Sequence, residues 1–264
     1  MRRNLFSAAV VLAAFFGSAA LAQESVTITT DPNDLARPIS TLLDQLRARE
    51  KVSVTYEDPR YSNSSDIEDV TAKIARTPAG VVKSPHRSIV PKGRAISFVY
   101  APHDFHSAQG AETALARMLQ EYQTLGGPTF SVVGDHTRLH VVPAYVLDAE
   151  GNRARQGSIL DTVITISAGP RDGGQLLQAI CDEIRKQTGY EVGIGTGVPE
   201  NNLDQYHTTD GIDHMSARSA LESVLDKSTP PGSFVWDLYY DPGDKSYGLN
   251  FSYVAASRPK SATK

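Results

Sequence analysis

The chain has 264 residues, 40% of them hydrophobic and 21% charged, with 26 basic and 30 acidic side chains and a net charge of −4 at pH 7. No basic stripe stands out, so neither nucleic acid nor an anionic membrane surface is an expected partner. Cys181 is the only cysteine, which excludes an intramolecular disulfide.

Residues 1–22 combine Arg2 and Arg3, an apolar run from Leu5 to Phe16, and Ala20-Leu21-Ala22 before Gln23. This is the pattern of a cleavable export signal with its cut between Ala22 and Gln23. The run is too short for a membrane span of about 20 residues. The expected product is soluble in the periplasm or secreted. Removal of the two arginines leaves 24 basic against 30 acidic residues, a net charge of −6.

Ser25 to Thr30 alternates as a strand, and Pro38 suits the start of the helix that follows. From Pro38 to Glu50 apolar residues recur at i, i+3, i+4 and i+7, then give way to the alternation Val52-x-Val54-x-Tyr56. A helix running into a half-buried strand is predicted. The same pattern returns 138 residues later, in Leu176 to Ile194. Asp44 falls on Asp182, Arg47 on Arg185 and Val54 on Val192.

After Tyr56 comes a segment of about 57–92 rich in Pro, Ser and charge, with a short helix expected from Ser65 to Ala75. A loop of this length is usually functional or disordered. Tyr61, Asp66, Glu68 and Asp69 within it are the candidate partner-binding residues. Its apolar content (Tyr61, Ile67, Val70, Ile74, Val81, Val82, Ile89, Val90) argues that part of it packs, which leaves a structural lid on its own sheet as the alternative. Next are predicted a strand (Ala95 to Tyr100), a helix (Gly110 to Leu125) stopped by Gly126-Gly127-Pro128, and a hairpin (Thr129 to Val133 with Arg138 to Val142). The polar stretch 147–158 reads as a linker.

The second half repeats this order. A strand from Asp161 to Ser167 precedes a helix from Gly174 to Thr188 that Gly189 ends. A strand follows, then another near Tyr206 to Ile212, a helix from Ser216 to Lys227 with Ser216 as N-cap, and a hairpin from Phe234 to Val254. Over this part the offset is 106, so that Phe130 meets Trp236. The difference of 32 residues measures the insertion in the first copy. The expected fold is α+β, with two tandem β-α-β-β-α-β-β domains at 23–146 and 159–256, each packing two helices on small mixed sheets. A basic tail (257–264) closes the chain.

Ile180-Cys181-Asp182-Glu183-Ile184-Arg185-Lys186-Gln187-Thr188-Gly189-Tyr190-Glu191-Val192, Met215 to Leu225, and Trp236 to Tyr240 resemble the secretin and TonB short N-terminal (STN) domain. The first half matches through Leu42 to Tyr56, Ala114 to Leu119 and Phe130 to Val141. The resemblance implies a periplasmic docking module for other proteins that carries no catalytic residues.

Residue chemistry points the same way. Gly193-Ile194-Gly195-Thr196-Gly197 lacks the spacing of a phosphate loop and reads as a glycine-rich strand exit. His103 and His106, with His136 or His140, and separately His207, Asp210, Asp213 and His214, read as exposed polar residues before they read as metal ligands. Asp66-Ile67-Glu68-Asp69 lacks the order of a calcium loop. Cys181 sits on an apolar helix face as a small hydrophobe. No catalytic set, metal or cofactor is expected. The expected function is non-enzymatic binding of an envelope protein of unknown identity, by strand addition at sheet edges or through the insertion. The alternative is a periplasmic carrier or sensor of a small apolar ligand.

Overall fold

The protein is described from a computed structural model covering residues 24–30, 36–71, 76–77, 80–81, 87–135 and 137–254. The expected signal, with Ala22 and Gln23, and the expected tail lie outside these residues, as does His136.

The architecture is mixed α+β. Strand β1 (Val26–Thr29) leads to helix α1 (Pro38–Glu50), which starts on a proline and ends at Lys51 in the left-handed region, φ 57°. Strand β2 (Val54–Glu57) follows. The next segment holds four short strands, β3 (Ile67–Asp69), β4 (Arg76–Thr77), β5 (Gly80–Val81) and β6 (Ile89–Pro91), in two small ladders. Over Ser65–Asp69 the helix expected from Ser65 to Ala75 is replaced by a single 3-10 turn at Ser64–Asp66 and β3, while Thr71 is helical and 72–75 lie outside the described residues. At the turn Asn63 accepts the Ser65 N–H, and the chain passes straight into β3. An Asn cap satisfies one turn, but extended pairing of β3 with β6 satisfies the backbone beyond it.

Then come β7 (Ser97–Tyr100), α2 (Ala108–Thr124) capped by Ser107, and the hairpin β8 (Thr129–Gly134) with β9 (Leu139–Leu147). The stretch expected as a linker folds back on β9. Strand β10 (Arg153–Arg155) pairs antiparallel with Tyr145–Leu147 of β9.

In the second half β11 (Val163–Ile166) and β12 (Arg171–Asp172) precede α3 (Gly173–Thr188). Asp172 caps this helix at its start, and Gly189, at φ 76°, ends it. Strand β13 (Glu191–Ile194) leads to a short helix, α4 (Glu200–Gln205). The single strand expected near Tyr206 to Ile212 is divided into β14 (His207–Thr208) and β15 (Ile212–Ser216), because β14 pairs with β12 while β15 pairs with β11. Ser216 caps α5 (Ala217–Ser228), and the hairpin β16 (Phe234–Asp241) with β17 (Ser246–Tyr253) closes the described chain.

Strands from both halves form one sheet in the order β8-β9-β2-β16-β17-β13, with β10 beside the far end of β9, and the remaining strands pair two by two. The halves meet where β2 and β16 pair in parallel, Tyr56 opposite Asp237 and Leu238 opposite Glu57.

Strand alternation then sorts the side chains. Val54, Tyr56, Leu139 and Val141 enter one core with α1 and α2, while Trp236, Leu238, Tyr240, Tyr247 and Leu249 enter a second core with α3 and α5. On β16 the intervening Tyr239 packs on the first core. The two helix pairs therefore cover opposite faces of the shared sheet. β2 runs parallel to β16, and β13 runs parallel to β17 but antiparallel to β16, so β13 and β2 point in opposite directions.

Candidate functional site: a buried ionic seam and two open edges

The β2–β16 junction is built from charge. Arg47 on α1 donates its Nε to Val54 O (2.8 Å), and its two terminal nitrogens grip Asp237 at 2.8 and 2.7 Å while one also meets Asp44 at 2.7 Å. Both Arg47 and Asp237 are buried. Burial pushes the Asp237 carboxyl above its ordinary value against the pull of Arg47. For Arg47 desolvation opposes the charge, but Asp237 and Asp44 outweigh it, so the guanidinium stays a cation.

On the other face Arg218 of α5 makes a second forked pair, with Glu57 of β2, at 2.8 and 2.7 Å, and also meets Asp161 at 2.6 Å. Arg138 reaches Asp226 at 2.8 Å and Glu222 at 3.4 Å. His140 lies between Thr55 Oγ1 (2.9 Å) and Glu222 Oε1 (3.0 Å), against the Trp236 ring.

Asp58 closes the seam. Its Oδ1 accepts from the hydroxyls of Tyr56 (2.7 Å) and Tyr61 (3.1 Å), and its Oδ2 accepts from Arg37 Nε (2.7 Å) and the Tyr240 N–H (3.0 Å). Four donors occupy the four acceptor positions of one carboxylate. A carboxylate so filled has no lone pair to offer a substrate, and the arrangement acts as a weld.

The expected binding residues do not form a common surface. Tyr61 is buried in the second core with its hydroxyl on Asp58, so it is a core residue where an exposed contact was expected. Asp66 is half-buried, and desolvation raises its carboxyl. Glu68 lies on β3. Asp69 is tied to Arg87 at 2.6 Å and accepts the Thr71 N–H. Hydrogen bonds from Thr71 and then Arg87 lower it to about 2.

His103 and His106 lie on the 3-10 turn Pro102–His106 while His140 is buried in the seam. His207, Asp210, Asp213 and His214 are exposed. Among the described residues no three His, Cys, Asp or Glu side chains converge as a metal set. Gly197, at φ 74°, and Gly195 allow a close crossing of this strand exit over β17, since a Cβ on them would strike Phe251 O and Asn250 Oδ1.

Each end of the sheet is open. Among the described residues β8 has β9 as its one neighbour, and β13 has β17. On β8 Val133 is 41% exposed, and on β13 Glu191 and Gly193 face solvent. Arg185, one 138-residue step from Arg47, stands beside β13. It meets Asp182 at 3.0 Å, as Arg47 meets Asp44, and reaches the exposed Glu191 at 3.4 Å. Sequence reasoning missed the seam, though charged residues at alternate positions of apolar strands (Glu57, Arg138, His140, Asp237) signal it.

Comparison of the chain with protein-family models, with curated proteins and with solved structures finds no match. No helix among the described residues is long and apolar enough to cross a membrane.

Proposed function

We propose that this chain is an exported, non-enzymatic docking module, built from two STN-like units fused on one sheet, that binds an envelope protein by strand addition at an open edge. The observation that carries the reading is that, among the described residues, β8 and β13 at the two ends of the shared sheet each have a single strand neighbour. An edge strand offers a row of backbone donors and acceptors that a second chain can complete. The seam supports the same reading from the inside. It joins β2 to β16 at Tyr56–Asp237 and Glu57–Leu238, and its charges are matched to each other, so within the shared sheet the outward edges of β8 and β13 remain to take a strand.

Photo-crosslinking in the native envelope tests this. A photoreactive residue at Val133 or Gly193 is expected to trap a specific protein, and one at Gln123, on an exposed helix face, is expected to trap none. Equal labelling from all three positions, or none from either edge, would sink the proposal.

A further inference from the structure

The internal junction contains a template for the external one. At the seam an arginine on the helix before the edge strand holds an acid on the incoming strand. Arg47 donates to Asp44 and also grips Asp237, which stands opposite Tyr56 in parallel pairing. One step of 138 residues later the same couple is present as Asp182 and Arg185, joined in the same i, i+3 geometry, beside a strand whose corresponding edge is open. Arg47 is buried, whereas Arg185 is 49% exposed.

Its remaining contact, Glu191, is a surface carboxylate at 3.4 Å that an incoming acid can displace, since an exposed pair of this kind is screened by solvent and weak. The position corresponding to Glu191 in the seam is Ser53, whose hydroxyl binds Gly232 O of the other half across the joint.

We infer that β13 is the docking edge and that its occupant is an extended segment of a partner protein, running parallel to β13, whose acidic residue lies opposite Ile194 and is held by Arg185. This rests on the edge-docking reading above and names its site and register. Ile194 is the counterpart of Tyr56, which fixes the register, and the acid is the counterpart of Asp237.

A second copy of this chain is the poorer occupant. Its free β8 edge would bring Ser131, one 106-residue step before Asp237, to the place where Arg185 needs a carboxylate. The remaining seam ties are also lost there, because Glu57 corresponds to Gly195, and Glu222 and Asp226 correspond to Ala116 and Gln120.

The probe is a labelled peptide reproducing Ser233–Asp241 with terminal lysines for solubility, titrated by fluorescence anisotropy against the chain from Gln23 onward. A second peptide carries Lys in place of Asp237, and the protein variants are Arg185→Gln and Arg185→Glu, both on an exposed helix face. The expected result is at least tenfold weaker binding when either charge is removed, and recovery when the Lys peptide meets Arg185→Glu. Hydrogen exchange should slow at Glu191–Ile194 in the bound state.

Binding indifferent to Arg185 with Glu191–Ile194 still protected overturns the clamp and leaves edge docking standing. Protection at Thr129–Gly134 moves docking to β8 and overturns the β13 assignment. Self-association of the protein without peptide, lost in Arg185→Glu, makes a second copy the occupant and also overturns the inference. Failure of every peptide to bind overturns it outright, whatever the envelope crosslinking shows.

Discussion

Arg47 and Asp237, 190 residues apart in sequence, form a forked ion pair at 2.7 and 2.8 Å in a place where both are buried. Removing Arg47 leaves Asp237 as an unpaired buried charge, and removing Asp237 leaves Arg47 with only the exposed Asp44 as a carboxylate partner; breaking a buried pair in this way costs about 3–5 kcal/mol. Arg47→Ala and Asp237→Ala should each lower unfolding free energy in urea by that order. The double change Arg47→Met with Asp237→Leu should regain most of it, since apolar residues of similar volume commonly replace such pairs without loss. A single-variant loss below about 1 kcal/mol, the range of an exposed pair, would mean that the seam opens in solution.

Trp236 gives a second handle on the same region. It is fully buried, yet its indole N–H has no hydrogen-bond partner. An unsatisfied buried donor costs about 1–3 kcal/mol, so Trp236→Phe removes a penalty along with some packing. The expected net change is within about 1.5 kcal/mol, against about 3–5 kcal/mol for Trp236→Ala. Urea unfolding followed by circular dichroism measures both. A Phe variant as damaged as the Ala variant would show that the N–H is satisfied.

Cys181 is buried on α3, and desolvation pushes its thiol up to about 12. At pH 8 almost none of it is thiolate, the reactive form. Ellman's reagent should therefore leave the native protein unmodified and react at once in urea. Rapid reaction of the native protein would contradict the packing of α3.

Alkaline pH should unfold the protein through its phenols. Tyr56, Tyr61 and Tyr122 are held above the ordinary value of 10.0, first by desolvation and then by the charge of Asp58. A folded-state pKa raised above the unfolded value contributes stability that is complete below about pH 10 and is lost as pH rises through the folded value. Tyrosinate absorbance should thus rise for exposed tyrosines first, with the buried group appearing together with loss of structure. Smooth ionisation of all tyrosines near pH 10, with the fold intact, would contradict this.

The parts legible in the sequence are the ones decided locally. Gly189 ends α3, Ser216 caps α5, Pro38 starts α1, and the two hairpins follow from alternation around turn residues. The joining of the halves is not local. A charge in a single sequence reads as solvated, and nothing near Arg47 announces a carboxylate 190 residues away.

Tyr61 illustrates the same limit. Its apolar character argues that it packs but does not say against which core, and the chain leaving β2 carries it across to the second one. Where the insertion's acids went also depended on distant partners, with Arg87 drawing Asp69 into the β3–β6 ladder. The open edges could be anticipated only as edges. Which strands stayed unpaired depended on β2 and β16 meeting.

Hydrogen exchange on the protein from Gln23 onward, resolved by residue, tests the account most directly. One welded sheet with two open ends predicts that amides of β2 and β16 around Tyr56 and Leu238 exchange among the slowest in the molecule, at the free energy of global unfolding. The outward amides of β8 and β13 should exchange fast until a partner is added. Exchange of β2 and β16 as fast as the end strands would mean that the halves part in solution, and would contradict the account.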